Sequence, residues 1–400
     1  MSNRSLVRLC IPVPAVAVLL SVGCLATDQD QGNGGTQIDT VTFKSVSVGG
    51  GHSCGIVVGD YAYCWGDNTF GQLGAADQLN HSVPQFVQGG PLEFRQISAG
   101  GTVTCAITAD QDAYCWGQNE WGQVGIGAVT APVLAPNKVL GGHQFTFVTS
   151  GAVHICGLVN AGEAWCWGLA GAGQLGNGQS GSETPVPLPV AVVGGHQFKE
   201  LSAGTLHTCG VTTSGEAYCW GRGTNGELGD GAEANSTTPV RVSGDILFGF
   251  IDAGDDHTCA VDLEGNAHCW GAGGNGQLGT GARTSSTVPV AVTGAVAFTA
   301  ISAGNNYSCG VDASAKVYCW GINAAGEIGD GTGELRTGPT PVTGNLEFRT
   351  ISAGQSAITA ATCGFATNNR VYCWGEGLLG QLGTGNLSSS RVPVEVVGQR

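Results

Sequence analysis

The sequence predicts an all-β protein, a seven-bladed β-propeller with four short antiparallel strands and one disulfide in each blade. Three observations carry this expectation. A unit of about 51 residues recurs seven times from about Thr40 to Arg400, and self-similarity at such a period marks repeat architectures. Within each unit, short apolar-alternating runs are separated by glycine-punctuated turns with no helical period, the pattern of a propeller blade. The composition suits many tight turns: glycine is 69 of 400 residues, charged residues are 11% and hydrophobic residues 42%. That hydrophobic share can bury a large core and argues against charge-driven disorder.

The chain opens on a targeting segment, residues 1–23, read as a signal peptide of the lipoprotein type. Arg4 and Arg8 form a positive n-region, and the apolar stretch 9–22 ends at Gly23-Cys24. This stretch is too short to span a bilayer as a helix, which needs about 20 residues. It has the proportions of a secretory signal. Leu20-Ser21-Val22-Gly23-Cys24 resembles a bacterial lipoprotein signal, with Cys24 as the lipidated residue. Ser21, Pro12 and Pro14 depart from that pattern, and ordinary cleavage with Cys24 incidental is the alternative. Residues 24–39 are polar and Gly-rich and read as a flexible tether. Residues 40–400 hold the repeats and leave no length for a second domain.

Unit four shows the elements in order. Phe198-Lys-Glu-Leu-Ser-Ala-Gly204 is a short strand, and His207-Thr-Cys209-Gly-Val-Thr is the next. Thr213-Ser214-Gly215 is turn chemistry. Ala217-Tyr-Cys219-Trp-Gly221 is the return strand, and Asn225-Gly-Glu-Leu-Gly229 a glycine corner. A variable loop then leads to Thr238-Pro239-Val-Arg-Val242, the last strand.

Cys-Trp-Gly recurs at Cys64, Cys115, Cys166, Cys219, Cys269, Cys319 and Cys373. Ten residues before each lies Cys54, Cys105, Cys156, Cys209, Cys259, Cys309 and Cys363. A three-residue hairpin loop with Gly215 in the left-handed position sets Cys209 opposite Cys219. Opposed residues have Cβ atoms about 4.5–5.5 Å apart, and a disulfide asks for about 3.5–4.5 Å, so a bridge needs slight adjustment. Fourteen cysteines then form seven intra-blade bridges. Cys10 leaves with the leader and Cys24 takes lipid. Metal binding by the fourteen is the rival, but zinc sites favour closely spaced cysteine pairs converging on one ion. No metal and no cofactor are expected.

The run Ala-Gly-x-x-His-(Ser/Thr)-Cys-x-Val…Gly-x-Ala-Tyr-Cys-Trp-Gly…Gly-Gln-Leu-Gly…Pro-Val-x-Val resembles the regulator-of-chromosome-condensation repeat. The resemblance covers all seven units and implies a seven-bladed propeller. The cysteine pair departs from intracellular members, so the chain looks like a secreted bacterial branch of the family.

Several motifs invite a functional reading. Gly51-His-Ser53-Cys-Gly55 fits a nucleophile elbow, but the required strand-turn-helix context is absent and Ser53 aligns with Thr208 and Ser308. Gly221-Arg-Gly223-Thr-Asn-Gly226 and Gly271-Ala-Gly273-Gly-Asn-Gly276 fit the dinucleotide fingerprint, yet no helix follows to hold a pyrophosphate. His52, His154, His207 and His257 precede the first cysteine of their units, where Val103, Tyr307 and Ala361 stand in others. A metal ring is imaginable, but sevenfold placement spreads the ligands apart. The reading preferred is a histidine bonded to a neighbouring blade's backbone. The repeat tryptophans Trp65, Trp116, Trp167, Trp220, Trp270, Trp320 and Trp374 read as wedges between blades.

Function is expected where copies differ. Phe70 and Trp121 sit before Gly-Gln-(Leu/Val)-Gly, where other units have Ala172, Asn225, Asn275, Ala325 and Leu379. Such aromatics are common binding anchors. Unit seven carries about four extra residues around Gln355 to Thr362, expected to protrude as a loop. The first segment, Val41 to Val48, is expected to supply a strand; if blade and sequence unit are out of phase, it pairs in one blade with strands from the C-terminal end and closes the ring.

The formal net charge is −15, and loss of Arg4 and Arg8 with the leader takes it to −17. Such a surface repels nucleic acid. The leading functional reading is a non-catalytic, lipid-anchored propeller at the bacterial outer membrane or cell surface, otherwise secreted or periplasmic. It binds an unknown protein or glycan, meets the membrane only through its lipid, and is expected as a monomer. The alternative is a secreted inhibitor of an enzyme such as a β-lactamase. No acid/base pair or activated nucleophile points to an enzyme. Guanine-nucleotide exchange, which the resemblance implies for nuclear members, conflicts with the leader, the disulfides and the charge.

Overall fold

Short runs rich in β-branched and aromatic residues, punctuated by glycine, fold here into seven four-stranded antiparallel sheets. The structure is a computed structural model and describes residues 40–180, 185–356 and 359–400. The leader, the tether, Cys10 and Cys24 lie outside the described residues. Blades are numbered here in chain order. Blade 1 consists of Phe43–Val48, His52–Val57, Ala62–Gly66 and His81–Phe86, paired in that order. The other six sheets repeat the arrangement.

The first strands of adjacent blades pack on one another and line the centre. Turns between first and second strands, and between third and fourth, emerge on one face of the ring, the upper face. The remaining turns form the lower face. Hydrophobic clusters lie between blades rather than at one centre: Phe43 and Trp65 of blade 1 pack with Phe365, Val371 and Leu382 of blade 7. All seven repeat tryptophans are fully buried. Each donates its indole N–H to the corner carbonyl of the preceding blade at 2.8–3.0 Å, as Trp116 does to Gln72. Burying one indole stabilises the seam by about 5 kcal/mol.

All seven cysteine pairs are bridged within their blades, from Cys54–Cys64 to Cys363–Cys373, with Cα atoms 4.0–4.1 Å apart. Each pair is directly opposed in register, as Cys209 is to Cys219. The hairpin depends on one left-handed residue. Gly215 has φ of 91°, and Asp60, Gln111, Ala315 and Asn369 hold the same turn position with φ of 62–66°.

The first segment supplies a strand, and blade and sequence unit are in phase. Phe43–Val48 pairs with His52–Val57 inside its own blade, and every sheet takes its four strands from a single unit. The cause is local, because the three-residue turn 49–51 sets Val48 directly opposite Ser53. The ends meet instead through a short parallel bridge, with Val41 N–H bonded to Gly398 O at 2.8 Å and Arg400 N–H to Val41 O at 3.1 Å. A side-chain relay completes the circle. Ser47 Oγ accepts the Ala99 N–H of the next first strand, and the pattern passes through Ser98, Thr149, Ser202, Asp252 and Ser302 to Ser352, which takes the Val48 N–H. These bonds measure 2.8–3.1 Å.

Candidate functional site

The four histidines are part of the seams between blades. His52, His154, His207 and His257 are fully buried. Their Nε2 atoms lie 2.8–2.9 Å from hydroxyls of the following blade: Thr104, Thr208, Thr258 and Ser308. Each hydroxyl donates to a corner carbonyl, Thr104 to Gln72 O at 2.8 Å for example. The imidazole N–H must therefore sit on Nε2, leaving a bare Nδ1. Burial holds these imidazoles far below their usual range, His52 at about 4 and the other three at about 3. The partner is a hydroxyl, not the backbone expected from sequence, although the hydroxyl passes the bond on to backbone. Where the histidine is Val103, the facing residue of blade 3 is Ile155, so both polar partners are replaced together.

The catalytic-looking motifs are also absorbed by the scaffold. Ser53 is buried, and its hydroxyl donates to Gln381 O at 3.0 Å. A Cβ at Gly273 would stand 1.9 Å from Thr284 O, and one at Gly223 2.1 Å from Ala234 O, so close backbone approach explains these glycines. Among the described residues, no group of three or more His, Cys, Asp or Glu side chains gathers as a metal site.

The upper face departs from sevenfold repetition. In each corner the Gln or Glu side chain accepts an N–H two residues earlier: Gln72 takes that of Phe70 and Gln123 that of Trp121, both at 2.9 Å. Phe70 and Trp121 thus occupy equivalent, half-buried positions one blade apart. Their counterpart Leu379 lines a cavity of about 360 Å³ at the mouth of the ring, together with Asp67, Thr102, Gln118, Val153 and Gln355. Corner residues at this position reach the turn between first and second strands of the next blade, as Asn275 reaches Asn306 at 3.1 Å. Thr102 and Val153, the residues equivalent to Asn306 in blades 2 and 3, are on the cavity wall, but Phe70 and Trp121 are not among the residues that line it.

The described residues of the unit seven insertion, on either side of 357–358, contact the ring. Gln355 Nε2 donates to Ala253 O at 2.8 Å across the mouth, and Thr359 Oγ1 donates to Gly50 O. Polar side chains of the insertion thus donate to backbone carbonyls of blades 5 and 1. Blades 4 to 6 close the other side of the mouth. Arg222 binds Glu227 at 2.7 Å, the Asp255 carbonyl at 2.8 Å, and Asp256. Asn305 Nδ2 donates to Asp255 at 2.6 Å.

Corner amides were not singled out from sequence, because the five glutamines at this position look alike there. Their second contacts differ. Gln72 Nε2 donates to Asp67 at 2.8 Å, Gln277 Nε2 to Asn306 at 3.1 Å and Gln381 Nε2 to Thr359 O at 3.2 Å. Gln123 and Gln174 are buried, and their Nε2 atoms have no partner; the same holds for Gln355 Oε1. A larger hollow of about 580 Å³ lies on the lower face, where His143 stacks on Trp165 at 3.9 Å and Lys138 pairs with Asp112 at 2.6 Å. Neither His143 nor Trp165 stood out in the sequence.

The Regulator of chromosome condensation (RCC1) repeat matches residues 60–107, 161–211, 214–261, 264–311 and 368–400. A second description of the same repeat matches 43–72, 94–123, 198–227, 250–277 and 298–327. The span 161–211 runs from the third strand of blade 3 into the second strand of blade 4, so the repeat so described straddles a blade boundary. The chain is similar to the ultraviolet-B receptor UVR8 of Arabidopsis thaliana, 33% identical over 192 residues, 47% of this chain and 43% of UVR8. It thus spans less than half the length of the curated relatives it matches. Human WBSCR16 shares the fold with a TM-score of 0.76 and 19% identity, over 84% of this chain and 94% of that one. Prp20p of Saccharomyces cerevisiae shares it with a TM-score of 0.72 and 20% identity, over 89% and 87% of the two chains. With seven blades closed into one ring and the repeat matched along most of its length, the chain belongs to the regulator of chromosome condensation (RCC1) repeat family.

Proposed function

We propose that this chain is a non-catalytic binding scaffold that recognises a partner with its upper face, over blades 7, 1, 2 and 3. The observation that carries the reading is the broken symmetry of that face. Phe70, Trp121 and Leu379 take one corner position in three neighbouring blades, and Leu379 lines the cavity. Half-buried aromatics on a rigid rim lose little side-chain entropy on binding, which suits anchors. The buried histidine, serine and tryptophan groups already serve the seams, which leaves recognition rather than chemistry to the face.

The same reading places the protein in an oxidising compartment, anchored through Cys24 at a bacterial outer membrane or cell surface. The seven buried disulfides and the leader-like first residues support it. The test is capture from envelope and culture-fluid fractions with the mature chain and with Phe70→Ala/Trp121→Ala. A partner retained by the first and lost by the second is expected. A partner held equally by both would place recognition elsewhere.

A further inference from the structure

The hollow of about 580 Å³ on the lower face lies at the seam between blades 2 and 3. Asp112 and Lys138 of blade 2 form one wall, and Gln144, Glu163 and Trp165 of blade 3 the other, with His143 between. Its volume falls within the roughly 300–1,000 Å³ of small-molecule sites. Two repeat positions change character here. The residue two before the buried phenylalanine of the first strand is aliphatic in five units, as in Leu92 and Ile246, which pack against the seam clusters. It is histidine in units three and four, as His143 and His196. The residue before the second cysteine is tyrosine in five units and His268 in a sixth, and unit three has Trp165. Both departures of unit three therefore meet in this hollow.

The aromatic pair is built locally. Gly141 and Gly142 have φ of 112° and 74°, and a Cβ at Gly141 would stand 3.0 Å from His143 Cδ2, so the glycine leaves room for the ring. His143 lies on Trp165 with ring centroids 3.9 Å apart and planes inclined by 38°. Burial holds the imidazole below its usual range, so it is neutral at pH 7 and carries one donor and one acceptor. Trp165 serves the fold poorly as a hydrogen-bonding residue. Its indole N–H is buried without a partner, whereas all seven repeat tryptophans donate to a corner carbonyl. What this partly exposed side chain presents to the hollow is ring surface.

Exposed polar groups flank that surface. The side chains of Gln144 and Glu163 make no hydrogen bond or ion pair among the described residues, and Asp112 has one oxygen on Lys138 and the other to spare. A fatty chain would strip water from these groups and return nothing. A phosphate or carboxylate would face the unpaired charge of Glu163. A ring with an apolar C–H face and hydroxyls at its edge satisfies both parts, since hydroxyls bond strongly to carboxylates. We propose that this hollow binds a glycan through one uncharged hexopyranose ring. The C–H face of the sugar lies against the His143–Trp165 pair, and its hydroxyls bond Asp112, Gln144 and Glu163. The site is on the face opposite the proposed partner surface and does not depend on it.

The experiment titrates the mature chain with the methyl glycosides of glucose, galactose and mannose and with the uronic acid of each, read by calorimetry and tryptophan emission. At least one neutral glycoside should saturate with millimolar affinity and change the emission. Its uronic acid should bind at least about tenfold more weakly. Trp165→Tyr and His143→Leu install residues that other units carry at these positions, so the blade keeps its packing. Each should weaken the neutral glycoside at least about fivefold. Glu163→Gln keeps a hydroxyl partner but removes the charge, and the uronic acid should gain at least about tenfold. Phe70→Ala/Trp121→Ala should bind the glycoside as the natural chain does.

The proposal is overturned if no neutral glycoside saturates, if the uronic acid binds as tightly, or if Trp165→Tyr and His143→Leu leave binding unchanged. If glycoside binding falls with Phe70→Ala/Trp121→Ala instead, sugar recognition belongs to the upper face, and the lower-face site falls while the scaffold reading stands. If partner capture ignores Phe70 and Trp121 while glycoside binding follows Trp165, the upper-face reading falls and the lower-face site stands.

Discussion

Acidification from pH 7 to pH 5 tests the buried histidine seams directly. Each histidine titrates near 6.5 when unfolded, and burial lowers it to about 3 in the fold for His154, His207 and His257, and to about 4 for His52. A folded-state value below the unfolded one means that the unfolded chain binds the proton more tightly. The stability contributed by the neutral ring is therefore complete above pH 6.5 and is lost as pH falls toward the folded value. Between pH 7 and pH 5 the loss is about 2 kcal/mol per histidine, or about 7–8 kcal/mol for four. An opposing contribution comes from the channel. Burial, then the neighbouring Asp252, pushes Glu200 up to about 8, so the fold gains about 2 kcal/mol from its protonation over the same interval.

A difference experiment separates the two. Urea unfolding of the natural chain and of His154→Gln is compared at pH 7 and at pH 5, with equal urea slopes confirmed. Glutamine keeps a donor for Thr208 but does not titrate. The stability gap between the two proteins should shrink by about 2 kcal/mol on acidification. Glu200 is common to both and cancels. A gap that is the same at both pH values would refute the assignment of buried, neutral histidine.

Further outcomes follow from the same geometry. Val103→His and Ile155→Thr should each destabilise alone but together install another histidine–hydroxyl pair. Their double-mutant cycle should show a favourable coupling of about 1–2 kcal/mol in urea unfolding. Gln111→Gly with Ala315→Gly relieves two left-handed residues with φ of 64° and 62°. Offset by backbone entropy, this should add about 1 kcal/mol to the same measurement. Cys24→Ser should move the protein from the membrane fraction to the soluble fraction or block its processing, and a mature, membrane-bound variant would show the anchor to lie elsewhere.

Much of the ring is legible in the chain because each blade states its own chemistry locally. The ten-residue cysteine spacing, the left-handed turn residue and the tryptophan after the second cysteine all lie within one hairpin. They require no knowledge of the neighbours. Closure is not legible in this way, since a circular repeat has no natural first residue. The family pattern can be cut between any two strands, and only the short turn 49–51 shows that Phe43–Val48 stays with its own blade. The histidine seams lie between these cases. His207 and Thr258 are 51 residues apart, yet one comparison reveals the coupling, because Val103 lacks its histidine where Ile155 lacks its hydroxyl.

The candidate site is the least legible part, for a physical reason. Gln72 and Gln123 stand in the same motif with the same backbone bond, and sequence alone makes them equivalent. What separates them is whether the second amide hydrogen finds an acceptor, and that is decided elsewhere in the chain. Asp67 supplies one for Gln72. For Gln123 the equivalent Gln118 is already engaged by Thr102, and Val153, thirty residues further on and in the next blade, has no acceptor to give. A difference of this kind is made of a missing bond. It becomes visible only when every neighbour's hydrogen bonds have been placed.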